Sequence, residues 1–295
     1  MTREPEPVDR DSRGILDPLL FHQRVRLTRY PVSAVLAGLI DRFWAVSWDL
    51  PADVVHHQQV LTHPAANLSV GQPDAQSSAS GNPDDPPGCA VDQRLEARVN
   101  GVETVLNTRH LSGQGWAVAA MTTPGGLGAF VSGSVADLTD RVVPFDGVID
   151  VDEAGLLHRI AGEPDQVARV EVLARALEAA LIPERVATAR QVAEVAQLAE
   201  TDRSVRRLGD LSARTGIPSR TVQRLFTQYA GVSPTWVLRR YRLLDVAEAV
   251  RNGEQPVWAD VAADLGYADQ AHLVRDFRAA TGQTPSRYAA SRRLP

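Results

Sequence analysis

The chain has a single cysteine, Cys89, in 295 residues, so an intrachain disulfide and a cysteine-built zinc site are both excluded. No run of about 18 apolar residues occurs, which excludes a transmembrane helix. The first residues, Met1 to Pro7, lack the hydrophobic core of a signal peptide. The expected location is therefore the cytoplasm, with no membrane partner. Lysine is absent altogether: all 31 basic residues are arginine. A guanidinium is the better bidentate reader of phosphate and guanine, yet the bias runs through acidic and basic parts alike and marks no site. No Ser–His–Asp set and no catalytic carboxylate pair stands out, so no catalytic residue, enzyme activity or cofactor is expected.

What is present is a globular composition, 44% hydrophobic and 23% charged, which excludes disorder and collagen-like repeats. The length suits two domains. Charge divides them. Up to Asp202 the chain holds 16 Arg against 28 Asp and Glu, a net of −12. From Arg203 onward it holds 15 Arg against 8, a net of +7. Such asymmetry is expected where one domain meets a polyanion and the other does not.

Residues 1–14 are polar and read as a loose tail. Residues 15–162 form a β-rich domain, with Pro31–Ile40 expected as a short helix and Arg42–Leu50 as an aromatic strand. Further strands are expected at Gln58–Thr62, Asn67–Gly71, Arg94–Val99, Thr104–Thr108 and Trp116–Met121. Residues 72–92, dense in Pro, Gly, Ser and Asp, read as a flexible insertion. Residues 163–202 form a helical connector. Val167, Val170, Leu173, Leu177 and Leu181 recur at helical spacing up to Pro183, and a second helix covers about Val186–Ala199. This connector also offers a place for a homodimer contact.

Residues 203–295 contain an internal repeat. Asp210 to Gly216 aligns with Asp260 to Gly266 at an offset of 50, and Arg224, Phe226, Gly231 and Pro234 align with Arg275, Phe277, Gly282 and Pro285 at 51. Each copy is a helix, a glycine turn and a second helix, with Ser219 and Asp269 as N-caps: a helix-turn-helix written twice. In the first copy Val222, Leu225, Phe226 and Tyr229 form the buried stripe. That leaves Arg220, Arg224 and Thr227 outward, with Gln223 on the flank. In the second, Leu273 and Phe277 point inward and Ala271, Arg275 and Arg278 outward, flanked by Gln270 and Val274. Arg and Gln bond guanine and adenine edges bidentately, and small apolar groups meet the thymine methyl. Between the copies, Pro234–Arg251 is one helix ended by Asn252-Gly253 and apolar nearly all round, so it is expected to be buried and to set the spacing of the units.

The words GIPSRTVQRLFTQYAGVSPTWVLRRYRLLDVAEAV and ADVAADLGYADQAHLVRDFRAATGQTPSRY resemble the paired helix-turn-helix domain of AraC/XylS-type bacterial transcription regulators. The resemblance covers Leu208 to Tyr288. It implies that both second helices enter adjacent major grooves of double-stranded promoter DNA. By position it assigns Arg220, Thr221, Gln223 and Arg224 to one groove, and Gln270, Ala271, His272, Val274 and Arg275 to the other. Helix N-termini near Ser219 and Asp269 would sit at phosphates. RNA polymerase is implied as a partner if the chain activates. The segments RYPVSAVLAGLIDRFWAVSW, TTPGGLGAFV and LTDRVVPFDGV are similar to an uncharacterised β-rich sensor domain found ahead of this DNA-binding unit. That implies a small-molecule effector or a protein partner.

The expected class is thus α+β: a β-rich N-terminal domain of barrel or cupin-like form, a helical connector, and an all-α double helix-turn-helix domain. Trp44 and Trp48 share one strand face and either belong to the core or line a ligand pocket. His56, His57 and His63 invite a cupin-like metalloenzyme, but His56 and His57 point to opposite strand faces and no metal site is expected. Pro124 to Gly128 lacks the ending of a phosphate loop, and Cys89 has no basic neighbour to activate it. A third class is an adaptor whose helix-turn-helix units bind protein.

Overall fold

The computed structural model describes residues 14–72, 95–106, 108–251 and 256–291. The expected tail up to residue 13, residues 73–92 of the insertion with Cys89, and the Asn252-Gly253 helix stop lie outside the described residues.

The N-terminal half is built on an antiparallel sheet. Its strands are β1 (Val25–Tyr30), β2 (Ile40–Asp49), β4 (Asn67–Gly71), β5 (Glu96–Asn100), β7 (Gln114–Thr122) and β8 (Val142–Pro144), in the order β1-β2-β7-β4-β5-β8. β3 (Val55–Gln59) and β6 (Thr108–Ser112) pair as a separate ribbon. Among the described residues the large sheet has two free edges, so it is open rather than the closed barrel the sequence suggested.

Alternation along the strands decides which face is packed. Phe43, Ala120, Leu68 and Val99 lie across one row and Ala45, Val118, Val70 and Ala97 across the next, all essentially without solvent exposure. A short helix, α1 (Pro18–Arg24), precedes β1, and this face meets the helices α2 (Glu153–Gly162), α3 (Gln166–Ala179) and α4 (Pro183–Thr201). Burying each large apolar side chain stabilises the fold by about 1.5–3 kcal/mol. Leu173 and Leu177 of α3 belong to this same interior, while Val167 at the start of the stripe is exposed.

Three local expectations are corrected. Pro31–Ile40 is a pair of turns, not a helix. The Leu36 N–H donates to Ser33 O and the Leu39 N–H to Leu36 O, while Gly38 at φ 77° breaks any helical path. Residues 104–106 are not a strand either, and β6 includes only Thr108 of the expected stretch. The Thr104 N–H and hydroxyl go to Asp140 at 2.6 and 2.5 Å, and the Leu106 N–H goes to Ala279 O at 2.9 Å, so tertiary partners take the donors a ladder needs. Pro183 does not stop α3, which ends at Ala179; it opens α4 as its first residue, where a missing N–H costs nothing.

The C-terminal half comprises α5 (Leu208–Thr215), α6 (Ser219–Leu225), α7 (Pro234–Arg251), α8 (Trp258–Asp264), α9 (Gln270–Thr281) and α10 (Pro285–Ser291). One continuous buried cluster runs from Leu68 in the sheet to Tyr288 in α10, so the two halves share a packed interior.

Candidate nucleic-acid interface and the N-terminal cavity

Each reading unit turns at a glycine in the left-handed region, Gly216 and Gly266, both at φ 70°. Beyond the neighbouring residues, nothing lies within 4 Å of where a Cβ would stand on either, so the backbone angle rather than space demands glycine. The units then differ. Asp269 caps α9, its carboxylate accepting from the His272 N–H at 2.7 Å. At α6 the cap position is Pro218, whose carbonyl accepts from Thr221 and Val222, and no side chain caps the helix. Ser219 is therefore the first helical residue and not the expected N-cap. A proline's fixed φ of about −65° and its missing N–H suit a helix entry without a side-chain bond. α6 runs on into a π-helical turn, Phe226–Ala230, that closes at Gly231 with φ 75°.

The inward stripe of the first unit is as expected: Val222, Leu225, Phe226 and Tyr229 are all buried. Arg220, Gln223 and Arg224 are exposed and Thr221 is half-buried. Arg224 lies 3.4 Å from Gln228, one turn along the same face. In the second unit Leu273 and Phe277 are buried, Gln270, Ala271 and Arg275 are exposed, and Val274 is half-buried. His272 is half-buried too. Its ring sits edge-on to Tyr267 at 5.0 Å and its Nε2 lies 4.0 Å from Asp276, on the flank of the outward face.

α7 spaces the units from inside. Tyr241, Arg242, Leu243 and Leu244 are consecutive and all buried. Two arginines within it meet backbone carbonyls. Arg242 donates to Asp202 O and Val205 O, tying α7 to the start of the reading half. Arg240, 3% exposed, donates to Thr104 O at 2.9 Å, so it ties α7 to the N-terminal half. Burial pushes the Arg240 guanidinium down to about 10. Sequence reasoning passed over Arg240, because an arginine in an apolar helix gives no sign of its partner.

The sheet face opposite the core encloses a cavity of about 310 Å³. Its floor is a patch of small residues. Ala117 lies between Val46 and Gly71 in the sheet, and Ser69 lines the same space beside Gly71. A Cβ on Gly71 would stand 2.6 Å from that of Ala117. Trp44 and Trp48 both line the cavity, while Phe43 points to the core. Trp44 donates to Asn67 Oδ1 at 3.0 Å and Trp48 to Ser112 O at 3.1 Å. Arg29, Arg42, Arg98 and Arg109 also face this space. The histidines do not converge: His56 bonds Gln58 at 2.9 Å, while the His57 ring stands edge-on to His110 at 4.7 Å. Among the described residues no group of three or more His, Cys, Asp or Glu is placed to hold a metal. Nor is any helix among them long and apolar enough to cross a membrane.

Residues 28–144 match a family described as a domain of unknown function, DUF6597, and residues 211–291 match one described as a helix-turn-helix domain. The HTH-type transcriptional activator RhaS of Pectobacterium carotovorum subsp. carotovorum (strain PC1) is 31% identical over 77 residues, covering 26% of this chain and 27% of the relative. The match thus spans about a quarter of that relative's length. Among solved structures, a probable AraC family transcriptional regulator from Rhodopseudomonas palustris CGA009 is 28% identical, covering 35% of this chain and 97% of its own, with a TM-score of 0.31. ToxT from Vibrio cholerae is 9% identical, covering 90% of this chain and 97% of its own, with a TM-score of 0.36. Over residues 211–291 the chain thus carries an AraC-type helix-turn-helix domain, and ahead of it, over residues 28–144, a domain that matches a family of unknown function.

Proposed function

We propose that this chain is a sequence-specific DNA-binding transcriptional regulator whose N-terminal domain, residues 15–162, answers to a small molecule in the sheet cavity. The observation that carries the reading is the pairing of two outward faces of Arg and Gln on helices held by one buried spacer, α7. Arg220, Gln223, Arg224, Gln270 and Arg275 read bases; Ala271 and Val274 meet thymine methyls, and Thr221 and His272 line the edges. Backbone N–H groups near Ser219 and Asp269 hold phosphates. Residues 163–202 connect the sensor to the reader at 203–295. The chain works in the cytoplasm without enzyme chemistry. RNA polymerase is a partner where it activates, and pairing of two chains on DNA is open to measurement.

The test is selection of bound DNA from a genomic pool by the purified chain at fixed salt, beside an Arg224→Ala/Arg275→Ala double variant. Salt is fixed because phosphate contacts alone give strong, sequence-blind, salt-dependent binding. The expected result is a motif with two half-elements about one helical turn apart, lost in the variant. Equal, motif-free binding by both proteins overturns the reading and favours an adaptor that binds protein through the same helices.

A further inference from the structure

The helix-covered face of the sheet carries a second space, on the side away from the cavity. Side chains alternate along a strand, so Ser47 and Trp116 share the face of Ala45 and Val118. Arg26 stands beside Ser47, and the row Arg26, Ser47, Trp116 therefore runs on past the packed core. Arg24 at the end of α1, and the next row of Asp49 with Gln114, extend it into a polar groove of about 750 Å³. Gln166 and Arg169 of α3 also line it. All the lining residues fall between positions 22 and 169, so the groove belongs to the N-terminal half and its connector, not to the reading units.

Three guanidinium groups line this groove, those of Arg24, Arg26 and Arg169, against one carboxylate, Asp49. Among the described residues neither Arg24 nor Arg26 is held in an ion pair. Arg26 is exposed and Arg24 half-buried, so both are open to a ligand. Arg169 is fixed in place. Its guanidinium lies 3.9 Å from the centre of the Trp116 ring, and its Nη2 donates to Glu163 O at 3.1 Å. Its Nε is buried with no hydrogen-bond partner among the described residues. Burial pushes this guanidinium below its ordinary value, while the nearby Asp165 and Glu163 act the other way. A buried charged donor without an acceptor is costly, which favours an anion at this end of the groove.

Guanidinium forks match phosphate oxygens bidentately. A phosphate carries nearly two charges and three acceptor oxygens, enough to meet donors from two sides at once. Ser47, Gln114 and Gln166 add neutral hydrogen-bonding groups for whatever the phosphate is attached to. We propose that the groove is an anion site for a phosphate group, free or on a small polar molecule, held between Arg24 and Arg26 on one side and Arg169 on the other. The site is separate from the effector cavity and stands independently of that reading.

The experiment titrates the full chain by calorimetry with inorganic phosphate, glycerol 3-phosphate and acetate, near neutral pH and at constant ionic strength. Phosphate is expected to bind about tenfold or more tighter than acetate, the value of one further charge-assisted hydrogen bond. Arg26→Gln weakens phosphate by about tenfold, Arg26→Lys keeps part of the affinity, and Arg175→Gln on the same α3 leaves it unchanged. Glycerol 3-phosphate binding tighter than phosphate supports a phosphate monoester as the ligand, and the reverse order supports free phosphate. Phosphate and acetate binding alike, or no phosphate binding, overturns the proposal. Phosphate binding untouched by Arg26→Gln also overturns it, and its loss in the Arg224→Ala/Arg275→Ala variant would then put the phosphate on the reading helices.

Discussion

Tyr229, at the end of the first reading unit, lies against Gly128 of the N-terminal half so closely that a Cβ on residue 128 would stand 2.9 Å from the Tyr229 Cγ. Arg185 of α4 seals the contact: its guanidinium lies 4.6 Å from the centre of the Tyr229 ring and donates to Gly128 O at 2.6 Å. Thr139 adds a bond from its hydroxyl to Gly231 O at 2.8 Å. The first unit is thus seated on the N-terminal half around Gly128, with Arg185 and Thr139, and the second through the Leu106 N–H, which donates to Ala279 O. Gly128→Ala is expected to destabilise the chain by about 1–3 kcal/mol, the usual cost of overpacking a close contact. Denaturant titration measures it. An unchanged midpoint would mean that the two halves do not meet there in solution.

Arg224 and Arg275 occupy equivalent outward positions, and each Ala substitution should cost about 1–3 kcal/mol of discrimination between the selected motif and mismatched DNA. The control is Arg175→Ala, an exposed residue of α3 that pairs with Glu171 of the same helix at 3.2 Å. Fluorescence anisotropy on matched and mismatched duplexes gives both numbers. Equal losses on the two duplexes would make these arginines phosphate contacts rather than base readers.

The two reading helices begin differently, and stability should show it. Asp269→Ala removes a carboxylate cap and should cost about 1 kcal/mol. Ser219→Ala should change stability by less than about 0.5 kcal/mol, since no side chain caps α6. Thermal unfolding of both variants decides this, and a larger loss at Ser219 would contradict the assignment of Pro218 to the cap position.

Acid should loosen the junction between connector and reader. Asp210 accepts from the backbone N–H groups of Arg206 at 2.9 Å and Arg207 at 3.1 Å, which hold its carboxyl below the ordinary value. Asp202 is lowered in the same direction, first by the Ser204 hydroxyl and then by the Ser204 N–H. A carboxylate lowered in the folded state releases its proton more readily there than in the unfolded chain. Its stabilisation is therefore complete above the unfolded value, about 4, and is lost as pH falls through the lower folded value. The stability gap between the natural chain and Asp210→Asn should be constant near neutral pH and narrow below about pH 4. A gap that widens on acidification would reverse the assignment.

The reading units were legible because their signals are local. A glycine at a helix end, an Asp cap and apolar residues at i, i+3, i+4 and i+7 act within a few residues, and the same pattern occurred twice. Ser219 was misplaced by one position, because a proline entry imitates a side-chain cap in sequence. The strand pattern was legible for the same reason: alternation in Arg42–Leu50 put Phe43 on one face and Trp44 and Trp48 on the other, as found.

Other features depended on partners far away in the chain. The stretch around Thr104 has strand-like composition, but Asp140 and Ala279 take its donors, and nothing within the stretch announces them. The cavity arises because Gly71 and Ala117, 46 positions apart, lie side by side in the sheet, where small residues leave space that larger ones would fill. Arg240 reads as an interruption of an apolar helix until Thr104 supplies its acceptor. Local periodicity and capping thus wrote the two reading helices into the sequence, since their hydrogen bonds close within a turn. The cavity, the contacts of Thr104 and Leu106 and the seating of Tyr229 on Gly128 were settled only by tertiary packing, since each needs groups brought together from distant segments.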